Sequence, residues 1–306
     1  MKKVLVLLST YNGEKYLKEQ LDSILNQTIE KDMDILIRDD GSSDGTRMIL
    51  EKYCATYSNI KVIEEENVGV KKSFFSLIAL AEKYEYYAFA DQDDYWKSEK
   101  LEVAIKKIEQ ENNIDIPVVY FSKLTFVNEY LEEIQEGINP NEEFDFGSIL
   151  IKNNANGCTM VFNYSAMKLM KKSIEKKVNY ENIPLHDHWL YMAVLAVGGR
   201  VVFDENSYIL YRQHNANQVG MDKGILDKIK KYSLFNGYGI RYRQAEELYR
   251  IYFEDIKEKE MILLEKILRY KTSLKNRLKL AFDRKIKPTN PMEKFRIIII
   301  VLNETF

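Results

Sequence analysis

The 306-residue chain has little cysteine: two residues, Cys54 and Cys158, with no metal-like spacing between them. That excludes a disulfide framework and points to a reducing compartment. It also has no excess of either charge, with a net charge of −2. The molecule as a whole is therefore not a polyanion binder, and no nucleic-acid partner is expected. No apolar run reaches the roughly 18 residues that a spanning helix needs. The N-terminal run from Val4 to Leu8 is shorter than a secretory core and no small-residue cleavage site follows it, so it is expected to be a buried strand. The sequons at Asn163 and Asn303 are accordingly expected to carry no glycan. Neither GxGxxG nor GxxxxGK[ST] occurs, which leaves a dinucleotide fold and a P-loop kinase unsupported. There is no internal repeat and no low-complexity linker.

What the chain does have is alternation. "KKVLVLL", "MDILI", "IKVI" and "YYAFA" are short apolar runs. Between them Leu17, Leu21, Ile24 and Leu25, then Ile49, Leu50 and Tyr53, then "SFFSLIALAEKY", carry helical spacing. Near-continuously apolar strands alternating with helices predict a mostly parallel central sheet covered on both faces. Right-handed crossovers put the four strand C-termini on one edge, where ligands bind in open sheets. The polar clusters "STYNGE", "RDDGSSD", "ENVG" and "DQDD" all fall at those ends. Beyond residue 115 the rhythm changes. "IPVVYFSKLTFV" and "GCTMVFN" read as strands, "HDHWLYMAVLAVGG" as a helix, and "RVVFDENSYILYRQH" as a hairpin or two short strands.

The cluster "DQDD" holds Asp91, Asp93 and Asp94 directly after a buried strand. In extended chain, alternate residues face the same way, so Asp91 and Asp93 can share a site while Asp94 turns aside. Two readings fit. The acids hold a hard divalent cation, Mg²⁺ or Mn²⁺, with substrate phosphates, or they form a solvated turn that caps the helix near Ser98. In "RDDGSSDGT", Gly41 and Gly45 with Ser and Asp are ordinary turn chemistry. Yet Asp39 and Asp40 end a buried strand, where an uncommitted acid pair is costly, and a carboxylate there can accept from a nucleobase or a ribose. Tyr11 can stack on a base. "HDHWL" offers two histidines, but residues two apart on a helix diverge, so zinc is not expected; Asp187 fits a cap for a helix starting at His188.

Seven segments in order, "STYNGEKYLKEQLDSILNQT", "IRDDGSSDGT", "ENVGV", "FADQDDYW", "GCTMVF", "HDHWL" and "YRQHNAN", resemble family-2 glycosyltransferases of the GT-A fold, most of all the bacterial rhamnosyltransferase-like branch. The resemblance spans about residues 1 to 220. It implies that Thr10, Tyr11, Asn12 and Glu14 lie against a donor nucleotide. Asp39 accepts from the base imide with Asp40 nearby, and Asp91 meets the ribose or the metal shell. It further implies that Asp93 ligates a cation bridging the donor diphosphate and that His214 adds a metal or phosphate contact. The general base falls at Asp187. Relatives carry an Ala-Arg-Asn run where this chain has "VKKSFF", so Lys71 or Lys72 is the candidate for phosphate-side work. Gly157 and Cys158 are expected to shape the acceptor cleft. Trp189, Trp96 and Tyr95 are either sugar-facing plates or core residues, and Trp189 is taken as the acceptor contact.

From Lys266 to Arg296 eleven Lys and Arg stand against two acids, Asp283 and Glu293, and "FRIIIIVL" follows. Leu268, Leu274, Leu278, Ala281 and Phe282 interleave as on an amphipathic helix. That pattern suits either an anionic membrane surface or a helix docked on the catalytic domain with a solvated outer face. The apolar end reads as a membrane wedge, a dimer contact or a core strand.

The expectation is thus an α/β GT-A catalytic domain over residues 1–222, with donor and acceptor halves meeting near 115, and a helical C-terminal extension over 223–306. Its expected activity is metal-dependent, inverting transfer of a sugar, rhamnose on the resemblance, from a nucleotide-diphosphate donor. The acceptor is a saccharide or lipid-linked hydroxyl, in surface polysaccharide synthesis at the cytoplasmic face of the membrane. A nucleotidyltransferase, which needs no base near residue 187, and a non-catalytic nucleotide-sugar binder are the alternatives.

Overall fold

A computed structural model describes residues 3–111, 115–137, 144–153, 155–214, 239–288 and 291–306. The expected boundary at 222/223 lies outside the described residues. Four parallel strands, β1 (Val4–Thr10), β2 (Met33–Asp39), β3 (Ile60–Glu64) and β4 (Tyr86–Ala90), are joined by helices α1 (Leu17–Leu25), α2 (Thr46–Thr56) and α3 (Val70–Leu80). The sheet runs β3-β2-β1-β4 and continues through β8 (Val161–Asn163), β6 (Val118–Val127), β9 (Arg200–Arg212) and β5 (Tyr95–Trp96). A short β7 (Glu133–Glu136) pairs with β6. The parallel first half is as the apolar runs predict. The second half is mixed, because β8 is antiparallel to both β4 and β6.

Strand alternation explains why the runs are apolar throughout. In β1, Leu5 and Leu7 face one core while Val4, Val6 and Leu8 face the other. In β4, Tyr87 and Phe89 divide from Tyr86, Ala88 and Ala90 in the same way. A strand buried on both faces has no polar side to show. Helices α1, α2 and α4 (Lys100–Glu109) cover one face. Helices α3, α5 (Phe146–Ile149), α6 (Tyr164–Glu175) and α7 (His186–Ala196) cover the other.

The C-terminal helices α8 (Ile240–Tyr252), α9 (Glu258–Arg269), α10 (Leu274–Ala281) and α11 (Pro291–Leu302) extend that second core. Leu248, Tyr252, Leu264, Tyr270, Ile300 and Phe306 are buried in one cluster with Trp189 and Phe162. The extension is helical, as expected, and it shares its core with the sheet. Among the described residues no helix is long and apolar enough to cross a membrane.

Two expectations need correction. "RVVFDENSYILYR" is neither a hairpin nor two short strands but the single strand β9, running parallel to β6. The polar "DENS" is a bulge: Ser122 pairs with Asp204, but the next residue, Lys123, pairs with Ser207. The Asp204 carboxylate folds back to accept the Asn206 amide at 3.0 Å, which locally replaces the ladder. Helix α7 begins at His186, not His188, so Asp187 lies inside its first turn and does not cap it. The sequon residue Asn163 is buried, and its side chain bonds Val118 N, Ala166 N and Ile116 O, which leaves no room for a glycan.

Candidate active site

The C-terminal ends of β1, β2 and β4 lie side by side, with Thr10 in register with Asp39 and Leu8 with Ala90. Each strand hands its chain to a polar loop there, and the loops are tied to one another. Thr10 Oγ1 donates to Gln92 Oε1 at 2.6 Å, the Tyr11 amide donates to the same oxygen at 2.8 Å, and Gln92 Nε2 returns a bond to the Tyr11 carbonyl at 3.1 Å. Gln92 therefore fixes the first loop to the acidic turn. A Cβ at Gly13 would sit 2.5 Å from Gln92 Oε1, so only glycine admits this closure. Asn12 adopts left-handed backbone (φ 49°) and accepts the Ser43 amide at 2.8 Å. Glu14 accepts the Gly45 amide at 2.9 Å. Thr10, Asn12 and Glu14 thus build the loop's shape, while the Tyr11 ring is about half exposed and open to a ligand.

Asp39 and Asp40 divide their work. Asp40 accepts from Arg38 and from the Val68 and Gly69 amides, both at 2.9 Å, binding the second loop to the third. Asp39 has no exposed surface and accepts from Ser42 and, at 3.2 Å, from Arg47. Asp39 is thus committed to Ser42 and to the half-exposed Arg47. Lys71 is not presented to a phosphate. Its ammonium donates to the carbonyls of Tyr180 and Ile183, the latter at 2.7 Å, and Lys72 stands 5.9 Å from the Tyr180 ring. Both lysines hold the turn that leads into α7. This corrects the expectation for Lys71.

The acidic turn gathers three functional groups from distant sequence, His214, Arg212 and Asp187. His214 Nε2 lies 2.7 Å from Asp93 Oδ2. β9 delivers it: β5, which directly follows the turn, pairs with β9 (Tyr95 with Leu210, Trp96 with Ile209). The buried Arg212 then donates to the Asp93 carbonyl at 3.0 Å and to Glu19 at 2.5 Å, and stacks 4.5 Å from the Tyr16 ring. On the other side Asp187 Oδ1 accepts the His188 amide at 2.7 Å. Burial pushes its carboxyl up to about 6, with the His188 and Gly157 amides and Asn153 pulling the other way. A Cβ at Gly157 would fall 3.0 Å from Asp187 Cβ and 3.1 Å from Oδ2, so Gly157 allows the close approach. Asp91 is pushed up to about 7 by burial and then by the charges of Asp93 and Asp187. The three carboxylates therefore lie in one electrostatic neighbourhood, where Asp93 and Asp187 disfavour a charge on Asp91.

Mutually repelling carboxylates of this kind fit a divalent cation. Asp91 and Asp93 present hard oxygen donors, the set that Mg²⁺ and Mn²⁺ prefer. Asp94 turns inward: it is fully buried, and neither oxygen has a hydrogen-bond partner of normal geometry among the described residues. Its surroundings are Cys158, whose thiol burial pushes well up, and Lys100. Lys100 is buried 3.7 Å over the Trp96 ring, and desolvation brings its ammonium down to about 7. Asp91, Asp94 and Cys158 place ligand atoms within 4.8 Å of one another. A thiol held protonated beside a lysine is a poor partner for a hard cation, so Asp91 and Asp93 are the better donors. The acids do not cap α4, whose N-cap is Glu99 without a side-chain bond.

Several expected residues lie elsewhere. Trp189 is not an acceptor plate. It is wholly buried, its Nε1 donates to Ser173 at 2.8 Å, and its ring meets Tyr252 of α8. Trp96 is likewise core. His186 stacks on Phe74 with centroids 3.7 Å apart, while His188 bonds the Ile149 carbonyl at 2.9 Å, so the two rings diverge. Burial holds them down at about 3 and about 4, both neutral. Gln92, Arg47, Arg212 and Lys100 escaped the reading of the sequence. Gln92 and Arg212 sit inside quoted motifs, and an arginine within a strand run was the available signal.

Residues 5–178 match Glycosyl transferase family 2. The chain is 32% identical over 234 residues to the dTDP-rhamnosyl transferase RfbG of Shigella flexneri, covering 74% of this chain and 78% of that one. Among solved structures it resembles S. aureus TarS 1-349 in complex with UDP-GlcNAc, with a TM-score of 0.57 at 19% identity, over 98% of this chain and 81% of that one. It also resembles the mannosyltransferase PcManGT from Pyrobaculum calidifontis in complex with GDP-Man and Mn²⁺, with a TM-score of 0.52 at 15% identity, over 97% and 74% of the two chains. At such identities the structural likeness speaks for the fold, which is of GT-A type. With a family match over more than half its length and a carboxylate-rich site on the edge where open sheets bind ligands, this chain belongs to glycosyl transferase family 2 and is a glycosyltransferase.

Proposed function

We propose that the chain transfers a sugar, rhamnose in the first instance, from a nucleotide-diphosphate donor to a hydroxyl of a saccharide or lipid-linked acceptor, with inversion and with Mg²⁺ or Mn²⁺. The observation that carries the reading is the convergence of Asp91, Asp93 and His214 with Asp187, a carboxylate on a separate helix. The two parts divide the chemistry. Asp91 and Asp93, steadied by His214 and Arg212, would hold a divalent cation against the donor diphosphate, and that cation would supply charge stabilisation for the leaving diphosphate. Tyr11 offers a face to the base, with Asp39 behind it. Asp187 takes the proton of the acceptor hydroxyl as that oxygen attacks the anomeric carbon. A carboxyl near 6 is mostly ionised at neutral pH yet basic enough to accept that proton. Attack opposite the leaving group in one displacement inverts the anomeric carbon. The likeness to a dTDP-rhamnosyl transferase supports rhamnose as the sugar; a place in bacterial surface polysaccharide synthesis at the cytoplasmic face belongs to the same proposal.

The test is a screen of dTDP-, UDP- and GDP-sugars for Mn²⁺-dependent hydrolysis and transfer, dTDP-rhamnose first, with Asp187→Asn beside the parent. Asp187→Asn is expected to lose roughly 10²-fold to 10⁴-fold in transfer with donor affinity little changed. Collapse of donor affinity with the saturated rate intact would make Asp187 a binding residue and overturn the mechanism.

A further inference from the structure

Helix α10 buries Leu280 and Ala281 but leaves Leu274 and Leu278 exposed, and Phe282 just beyond it is 61% exposed. These three stand four positions apart and form one stripe. Helix α11, packed against α10, buries Ile297, Ile300 and Val301 and leaves Met292 and Phe295 about two-thirds exposed. Large apolar side chains are thus concentrated on the outside of two short helices.

The cations around them fall into two sets. Those that reach inward are neutralised: Lys266 pairs with Asp283 at 2.5 Å, Lys287 with Asp145 at 2.8 Å, and Arg277 with Glu304 at 2.8 Å. Lys275, Lys279, Arg284 and Lys294 are exposed and have no ion pair among the described residues. The unpaired charges therefore share the segments that carry the apolar stripe.

We infer that α10 and α11 form a docking face for an anionic lipid bilayer. Leu274, Leu278, Phe282, Met292 and Phe295 enter the headgroup boundary, and Lys275, Lys279, Arg284 and Lys294 meet the lipid phosphates. Charge selects this occupant over a second copy of the chain. An isologous contact would set the same four cations against themselves, whereas an anionic surface neutralises them. The inference stands on the surface of these helices and not on the donor site. It bears on the glycosyl-transfer reading only through where the acceptor is met.

The test is co-sedimentation of the full chain with sucrose-loaded vesicles. Binding is expected to phosphatidylglycerol–phosphatidylcholine vesicles at low salt, to weaken as salt rises, and to be absent with phosphatidylcholine alone. Each cation contributes about fivefold, so Lys275→Gln, Lys279→Gln, Arg284→Gln and Lys294→Gln together should weaken binding roughly several-hundredfold. Leu274→Ser, Leu278→Ser and Phe282→Ser together should abolish it. Both variants should retain donor turnover in solution, which separates this inference from the catalytic one. Thermal melts report folding, and should the triple variant fail to fold, Phe282→Ser alone and the salt series of the parent carry the test. No binding by the parent at low salt, or equal binding by the glutamine variant, overturns the proposal. So does a parent dimer that the serine variant breaks without any vesicle binding.

Discussion

His214 Nε2 and Asp93 Oδ2 are 2.7 Å apart although 121 positions separate them in sequence. The contact exists because β9 pairs with β5 immediately after the acidic turn and because Arg212 grips the Asp93 carbonyl. Asp93→Ala is expected to abolish turnover and to remove the cation dependence of donor binding. His214→Ala leaves the carboxylate in place without its orienting partner, and should cost about 10-fold to 100-fold in apparent metal affinity. Both are read from activity against buffered Mn²⁺. Full activity of the parent in excess chelator would sink the assignment.

Gly157 lies so close to Asp187 that an added methyl group would press on it. Gly157→Ala sets a Cβ 3.0 Å from Asp187 Cβ and 3.1 Å from Oδ2. The carboxylate must move by a fraction of an ångström, and misplacement on that scale costs roughly 10-fold to 100-fold in rate. Transfer is expected to fall while donor hydrolysis, which needs no acceptor alignment, falls less. Equal rates for Gly157→Ala and the parent would show that Asp187 is not held where it must act.

The pH dependence of rate and of stability should run in opposite directions at Asp187. Its carboxyl is raised by burial to about 6. The unfolded chain ionises lower, near the ordinary carboxylate value of about 3.9. Between those values the folded state binds more protons, so this group's contribution to stability falls as pH rises. Activity needs the ionised form and so climbs through about 6. At pH 5 transfer should be roughly a tenth of its plateau. A pH–rate profile and melts over pH 4 to 7 check both signs. Survival of the acid limb in Asp187→Asn would assign it to another group.

The sequence showed the first half of the sheet and the loops on its edge because strands buried on both faces are apolar at every position, and what interrupts them must be polar. Its limits are physical. β9 looked broken because Asp204, Asn206 and Ser207 bulge out of the ladder, and pairing with β6 is set by contacts some 80 residues away. The role of Gln92 was hidden between two acids that invited a metal. Lys71 looked free because nothing local shows that the carbonyls of Tyr180 and Ile183 arrive at its ammonium. Helix α7 gave no direction to Trp189, since residues on every side of that helix are buried and no amphipathic pattern marks the face toward the site.

Trp189 therefore provides a test of the corrected reading. Its ring fills the core between α6, α7 and α8, donating to Ser173 and meeting Tyr252. Trp189→Ala should destabilise by about 3–5 kcal/mol through the cavity left behind. Trp189→Phe keeps most of the packing and loses the indole bond, a net cost of about 1 kcal/mol plus the cost of leaving Ser173 to its remaining partners, Tyr252 and the Leu169 carbonyl. If Trp189 is core, Trp189→Phe should show a lowered melting temperature with the acceptor KM unchanged at temperatures where it stays folded. A selective rise in acceptor KM, with the melt and the donor KM both at parent values, would return Trp189 to the acceptor site and require the cleft to reach beneath α7.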